Sequence, residues 1–343
     1  MKSSYELTVV CPAYNEEPIL IECITTIYDY LKNNIPSDNT WEILIVNDGS
    51  KDKTGELADN FASDKDNVRV VHHFVNMNLG NAIKTGFANA NGDFIVIYDL
   101  DLSYSPDHIK LLFETIIAQK ADIVIASPYM KGGRTTGVPF NRKIMSKWAN
   151  KYLSMTSRKR LSTFSGMVRA YKSSFIKKLS LKASTFEINT EIIFKAQILR
   201  ARIIEIPAHL DWTFQNSYRT RRFSGIKIKS GIFDAMVSGF IFRPYMFFIL
   251  PGTLLLIIAA YMIVWILINT YQIYPDIIIE NSKFIDDRFS LAISQVFKDR
   301  PHAFLVGGFI LVVAMQFLGI GFLSLQNKRY FDELFYQNYK NKE

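Results

Sequence analysis

The stretch DFIVIYDLD, residues 93–101, decides the fold of the N-terminal part of this chain. Its apolar residues run without the polar alternation of a half-exposed strand, which indicates a strand buried on both faces of a parallel sheet. Two carboxylates, Asp99 and Asp101, end the run. Because side chains at i and i+2 of an extended chain lie on one face, we expect the two acids to point to nearly the same place.

The same pattern occurs three times earlier in the chain. Continuous apolar runs are found in ELTVVCPAYNEE from residue 6, in WEILIVNDGS from residue 41 and in VRVVHHF at 68–74. Helical stretches such as EPILIECITTIYDYLKNN and LGNAIKTGFANAN separate these runs. Apolar strands that alternate with helices predict an α/β doubly wound domain.

Acidic residues follow three of the predicted strands. Glu16 follows the first strand, Asp48 ends the second, and Asp99 and Asp101 end the fourth. Doubly wound sheets bind ligands at the edge formed by the carboxyl ends of their strands. The segment after the second strand, taken alone, also fits a turn that caps a helix. Two carboxylates held close together repel each other unless a cation offsets their charge. Mg²⁺ or Mn²⁺, bound by these oxygens and by substrate phosphates, suits the pair.

Two long uncharged stretches lie in the C-terminal third, at 244–275 and 303–326. Each exceeds the roughly 20 residues that a helix needs to cross the hydrocarbon core. We therefore predict membrane spans at about 244–272 and 303–326. Two buried core helices are the alternative, but core helices are rarely uncharged over such lengths. Homo-oligomers formed through the spans are compatible with this sequence.

Basic residues concentrate on one side of the predicted spans. Six lysines and arginines lie within 219–243 and four within 328–342, whereas the loop between the spans is nearly balanced in charge. The positive-inside rule then predicts that residues 1–243 and the C-terminal tail are cytoplasmic. We find no signal peptide before the first strand. The net charge of +8 could suit nucleic acid, but basic residues beside the spans favour anionic lipid headgroups instead.

These features predict three parts of the chain. Residues 1–229 form a cytoplasmic α/β domain, 230–243 an amphipathic helix in the membrane interface, and 244–343 a two-helix membrane domain with a cytoplasmic tail. Cys11 and Cys23 are the only cysteines among 343 residues, which excludes a disulfide framework.

An ordered set of motifs carries a family resemblance. VVCPAYNEE, ILIVNDGS, NLGNAIKTGFANANGD, IYDLDLS and FSGM resemble the motifs of family 2 glycosyltransferases with the GT-A fold, over roughly residues 5–230. The set is similar, more narrowly, to polyprenyl-phosphate hexose synthases, such as the dolichyl-phosphate mannose and glucose synthases. The resemblance implies a mixed, mostly parallel sheet. It also implies inverting transfer of one hexose from a GDP-mannose or UDP-glucose type donor to dolichyl or undecaprenyl phosphate, with Mg²⁺ or Mn²⁺.

The resemblance further implies roles for single residues. The implied donor-binding residues are Pro12, Tyr14, Glu16, Asp48, Gly80, Asp99, Arg221, Arg222 and Lys227. The implied metal ligands are Asp99 and Asp101. The implied acceptor-phosphate residues are Arg142, Ser165 and Gly166. The predicted catalytic residues are Asp101 and Arg142, which the resemblance implies, together with Glu191 in TFEINTEIIFKA.

The expected chemistry asks little of the protein. A phosphate monoester is largely ionised at neutral pH, so the acceptor needs no general base. The metal would take up charge on the leaving nucleoside diphosphate, and arginines would offset the charge of the acceptor. Glu191 would then position a group, whereas a sugar hydroxyl acceptor would need it as a base. An ordinary exposed helix residue is the alternative for Glu191.

Three positions depart from the family pattern. Ser103 stands where some mannosyl enzymes carry a glutamine metal ligand, Pro128 where an arginine is usual, and Ser162 where an acid is usual. The departures leave the nucleotide-sugar class intact and the sugar open. A processive polysaccharide synthase would ordinarily carry a Q-x-x-R-W motif and more spans, which this sequence lacks. A non-catalytic membrane scaffold is the other alternative.

Overall fold

The computed structural model describes residues 5–36, 40–155, 157, 159–214, 240, 244–278 and 287–340. The chain divides into two compact units. The first comprises Met1–Gly239 together with Leu334–Glu343, and the second comprises Phe240–Glu333. The described end of the chain, Leu334–Lys340, therefore groups with the N-terminal unit.

A seven-stranded sheet forms the centre of the first unit. Its strands are β1 (Tyr5–Ala13), β2 (Trp41–Asn47), β3 (Val68–His72), β4 (Gly92–Ile97), β5 (Ile123–Ser127), β7 (Arg169–Lys172) and β8 (Ile203–Pro207), and a separate pair is formed by β6 (Arg134–Thr136) and β9 (His209–Asp211). The order is β3-β2-β1-β4-β7-β5-β8, and only β7 runs antiparallel to its neighbours. The predicted mixed, mostly parallel sheet is confirmed.

Helices cover the sheet. They are α1 (Leu20–Asn34), α2 (Thr54–Ala62), α3 (Leu79–Asn89), α4 (Asp107–Ala118), α5 (Phe140–Met155), α6 (Ser173–Ile176) and α7 (Ile188–Ile198). Helix α1 is amphipathic and buries one face through Leu20, Ile24, Ile27 and Leu31, at the i, i+3, i+4 spacing of a surface helix. Helix α7 differs because all of its residues are buried.

The register of the sheet brings the carboxyl ends of β1 to β4 to one edge. Ala13 pairs with Asn47, and Asn47 pairs with His72, so that three strands end side by side. Strand β4 ends at Ile97. The strand is therefore shorter than the predicted run 93–101, and Asp101 lies in a turn beyond it. Leu102, with φ 51°, turns the backbone there.

The second unit is helical. It contains α8 (Met246–Ile273), a short 3₁₀ turn (Tyr274–Asp276), α9 (Asp287–Asp299) and most of α10 (Pro301–Lys340). Gly321 allows α10 to approach α8 closely, because a Cβ there would lie 2.6 Å from Ile249 Cγ1. Met246–Asp276 and Pro301–Lys340 are long and apolar enough to cross a membrane, and little of either is buried inside the protein. The predicted interfacial helix at 230–243 lies, apart from Phe240, outside the described residues.

Candidate functional site

The loops that follow β1 and β2 are held together by hydrogen bonds. The N–H of Asn15 donates to Ser50 Oγ at 3.0 Å, and Asn15 Oδ1 accepts the N–H of Lys51 at 2.9 Å. The N–H of Glu16 donates to Thr54 Oγ1 at 2.8 Å. Asn15 has φ 53°, a conformation that asparagine adopts more readily than most residues. These bonds set the predicted donor-binding stretch around Glu16 beside the end of β2.

Asp48 is buried and fixes the loop after β3. Its Oδ1 lies 2.7 Å from His73 Nδ1 and accepts the N–H of Met77 at 2.9 Å. Gly49, with φ 65°, allows this approach, because a Cβ there would lie 2.2 Å from the carbonyl carbon of Val75. Asp48 therefore lies where three strand-end loops meet. His73 was not among the predicted site residues, because the sequence shows only a polar residue after β3.

Three carboxylates lie near one another at this edge. Burial raises the pKa of Asp99 well above its usual range, and repulsion from Asp101 and then Glu16 raises it further. Asp101 Oδ1 accepts the N–H of Ser103 at 3.0 Å, which orients that carboxylate in the turn. Carboxylates that repel one another are the oxygen donors that a hard divalent cation prefers.

Asp99 and Asp101 could hold a metal ion only together with ligands from a substrate. Within the described ranges, no cluster of three or more histidine, cysteine, aspartate or glutamate side chains is arranged to hold a metal ion. Asp99 and Asp101 would therefore need phosphate oxygens of a donor to complete the coordination. Mg²⁺ is commonly bound in this way, through one or two carboxylates plus substrate phosphates.

Arg142 is linked to the acidic turn through β9. The N–H of Asp211 donates to the carbonyl oxygen of Ser103 at 2.8 Å, which fastens the end of β9 to that turn. The next residue, Trp212, lies under the guanidinium of Arg142, whose Cζ is 4.5 Å from the ring centroid. Arg142 is thus connected, through Trp212 and Asp211, to the turn that contains Asp101, from which it is 41 residues distant in sequence. Trp212 was not among the predicted site residues.

Asn150 joins α5 to the turn that contains Ser165 and Gly166. Asn150 is buried, and its Oδ1 accepts the N–H of Phe164 at 2.6 Å and that of Ser165 at 3.3 Å. Since Arg142 precedes Asn150 by eight residues, about two helical turns separate them. One helix therefore carries both the predicted acceptor arginine and the anchor of the predicted acceptor turn.

Two further side chains, one on β8 and one on β7, hold the residues just before Ser165. The carboxylate of Glu205, on β8, accepts the N–H groups of Ser162 and Thr163 at 2.8–2.9 Å. Arg169, on β7, is fully buried and donates from Nη2 to the carbonyl oxygen of Phe164 at 2.5 Å. Burial lowers the pKa of Arg169. Although residue 162 is a serine, the carboxylate of Glu205 from β8 thus contacts its backbone N–H.

Glu191 is buried on α7, so the alternative of an ordinary exposed helix residue is wrong. Its carboxylate accepts the N–H groups of Lys182 and Ala183 at 2.8–3.1 Å and the ammonium of Lys195 at 2.5 Å. These contacts hold the loop before α7. Gly80, a predicted donor residue, lies against the same loop.

The remaining predicted residues fall into two groups. Pro12 is the penultimate residue of β1 and is half-buried, and Tyr14, just after β1, is 40% exposed. Arg221, Arg222 and Lys227 lie outside the described residues. The structure therefore brings together the predicted residues of the strand ends and α5, and leaves the basic segment after β9 undescribed.

Proteins of related sequence match somewhat more than half of this chain. Dolichol-phosphate mannosyltransferase of Pyrococcus furiosus is 32% identical over 205 residues, which are 59% of this chain and 55% of that protein. Undecaprenyl-phosphate mannosyltransferase of Micrococcus luteus is 29% identical, covering 59% of this chain and 81% of that protein. This chain thus spans about half the length of the first relative and more of the second. A solved mannosyltransferase from Pyrobaculum calidifontis, in complex with GDP-Man and Mn²⁺, superposes with a TM-score of 0.43 at 14% identity, over 99% of this chain and 87% of that one.

The family model of glycosyl transferase family 2 matches residues 8–180, which run from β1 past β7 and include the strand-end loops, the acidic turn and α5. The chain belongs to glycosyl transferase family 2.

Proposed function

We propose that this protein is a membrane-anchored, inverting glycosyltransferase that moves one hexose from a nucleotide-diphosphate sugar to a polyprenyl phosphate. The observation that carries the proposal is the pair of acids in the turn after β4, with Arg142 linked to that turn through Trp212 and β9. Family membership supports the transfer reaction. The acceptor class is supported by the names of the dolichol-phosphate and undecaprenyl-phosphate relatives.

The donor would lie across the ends of β1, β2 and β4. Asp48, which holds His73 and the loop after β3, would also accept hydrogen bonds from the nucleoside. Asp99 and Asp101 would hold Mg²⁺ or Mn²⁺, and that cation, when bound, offsets the negative charge of the leaving diphosphate. Burial and mutual repulsion raise the pKa of Asp99, and a bound cation would offset that repulsion.

The acceptor phosphate would lie between α5 and the turn at Ser165. Arg142, stacked on Trp212, can neutralise a phosphate while its forked N–H groups fix its orientation. Because the phosphate already carries the nucleophilic oxygen, no side chain has to remove a proton. The protein contributes position and charge, and displacement from the face opposite the leaving group inverts the anomeric carbon.

The surface of α5 suits an acceptor delivered from a membrane. Phe140, Ile144 and Trp148 are each at least half exposed and recur every four residues, so they form one apolar stripe. Lys143 and Lys147 lie in the same helix. An apolar stripe bordered by cations is typical of helices that lie in the interface of an anionic membrane. With the two candidate spans and their flanking charges, it supports a cytoplasmic, membrane-apposed catalytic unit.

Replacement of Asp101 tests the proposal. Membranes containing the full chain are supplied with labelled nucleotide sugars and a polyprenyl phosphate, with Mg²⁺ or with EDTA. We expect Asp101→Asn and EDTA each to lower transfer by about 100-fold or more, because the leaving diphosphate loses its counter-charge. Asp93→Asn is the matched control, since Asp93 is an exposed acid near the opposite end of the same strand.

Two results contradict the proposal. Equal rates for Asp101→Asn and wild type in Mg²⁺ would show that this turn does not serve a metal in the reaction. Release of long sugar polymers, without a lipid-linked monosaccharide, would instead support a processive synthase of the same fold.

A further inference from the structure

The C-terminal segment, Leu334–Lys340, makes ring contacts inside the first unit. The ring centroid of Phe335 lies 5.6 Å from Lys195 Nζ, and the ring of Tyr339 lies 6.0 Å from that of Phe175. Phe335 and Tyr339 are spaced i, i+4 and therefore share one face of α10. Both are partly buried, whereas Tyr336 between them is 47% exposed. The segment thus has a docked face and a free face.

Lys195 is the contact point on α7 and is itself buried. Its ammonium donates to Glu191 Oε1 at 2.5 Å and to the carbonyl oxygen of Ser180 at 2.6 Å. A buried ammonium depends on such partners, because loss of hydration is costly for an ion. The electron-rich face of Phe335 provides a further favourable contact for the same charge.

Glu191 connects Lys195 to the loop at 180–184. Its carboxylate accepts the N–H groups of Lys182 and Ala183, so the position of Glu191 determines the position of the loop. The next carbonyl oxygen, that of Ser184, accepts the N–H of Gly80 at 2.8 Å. The contact is close, since a Cβ at Gly80 would lie 2.5 Å from the carbonyl carbon of Ser184.

Gly80 is in the first turn of α3, and the residues just before it reach the donor edge. Met77 donates its N–H to Asp48, and Asn81 Nδ2 donates to the carbonyl oxygen of Met77 at 2.6 Å. Contacts therefore run without interruption from the aromatic face of Phe335, through α7 and the loop at 180–184, to the loop that Asp48 holds.

We propose that the C-terminal segment is a positioning element of the donor site, with Phe335, Lys195 and Glu191 setting the position of the loop against Gly80. The inference rests on the proposed function in that it takes the donor to lie at Asp48. In this proposal Glu191 is a positioning residue that acts through the loop at 180–184. The nucleotide sugar, and not the lipid phosphate, is the ligand whose binding depends on this segment.

Substitutions at Phe335 in the full chain test the proposal. Phe335→Leu keeps the apolar bulk and removes the aromatic face, whereas Phe335→Tyr keeps both. We expect Phe335→Leu to raise the KM for the nucleotide sugar about threefold, with the KM for the lipid and kcat changed much less. Amide hydrogen exchange of Lys182 and Ala183 should become faster in the same variant. Phe335→Tyr should match wild type in both measurements.

Tyr336→Leu is the matched control on the free face, and it should leave both measurements unchanged. The proposal is overturned if Phe335→Leu has wild-type exchange at residues 182–183, or if it raises the KM for the lipid as much as that for the donor. Failure of the proposed function gives a different pattern. In that case wild type transfers no sugar to lipid phosphate, yet the exchange of Lys182 and Ala183 still responds to Phe335→Leu.

Discussion

Replacement of Asn150 is the sharpest test of how the acceptor side is built. Asn150 is 2% exposed, and its Oδ1 is the acceptor for the N–H groups of Phe164 and Ser165. Its amide also donates to the carbonyl oxygen of Ser146 within α5 at 2.9 Å. The change Asn150→Ala removes the acceptor of the predicted acceptor turn and leaves Arg142 in place.

The magnitude follows from the two bonds. The bond to Phe164 is short, at 2.6 Å, and Phe164 is fully buried, so water cannot replace the lost acceptor. A buried N–H left without a partner costs about 1–3 kcal/mol. The bond to Ser165 is longer, at 3.3 Å, and Ser165 is exposed, so its loss adds little. We therefore expect a total of about 2 kcal/mol, which corresponds to a decrease of about 30-fold if it falls on acceptor transfer.

The assay is kcat/KM for the polyprenyl phosphate at saturating nucleotide sugar, together with the KM for the donor. We expect Asn150→Ala to lower the former about 30-fold and to leave the latter unchanged. Asn150→Asp keeps an oxygen acceptor for both N–H groups and should recover most of the loss. Equal effects on donor and acceptor, or equal losses in the alanine and aspartate variants, would refute the assignment of Asn150 to the acceptor turn.

Two further predictions concern Trp212 and Asp52. Trp212→Leu removes the ring on which Arg142 stacks, and it should raise the KM for the lipid about threefold in an acceptor titration. A change in the KM for the donor alone would contradict this prediction. Partial burial raises the pKa of Asp52, but hydrogen bonds from Thr54 outweigh it and lower that pKa. Asp52→Asn should therefore reduce the free energy of unfolding by about 1 kcal/mol above pH about 4, and the difference should disappear as pH falls through the lowered pKa. Chemical denaturation in detergent at several pH values measures this difference, and one that grows in acid would contradict the sign.

Local sequence patterns were sufficient for the element types and for part of the site. Apolar runs and helical spacing depend on neighbours within a few residues, and they predicted the parallel strands, the helices between them and the two apolar spans. Asp48, Asp99 and Asp101 were predicted to lie together because strand ends of a parallel sheet meet at one edge. The pattern did not predict the turn at Leu102, since a positive φ in a leucine has no local signal.

Tertiary structure determined which side chains contact the predicted acceptor turn. Glu205 lies 43 residues from Ser162, and Asp211 is 108 residues from Ser103, so no spacing rule connects them. Strand β8 pairs with β5 at one side of the seven-stranded sheet, whereas β9 pairs with β6 outside that sheet and reaches the acidic turn through Asp211. The sequence by itself determined which residues carry charge at that edge. Strand order determined which of them meet, because only the folded sheet converts distant positions into neighbours within hydrogen-bonding distance.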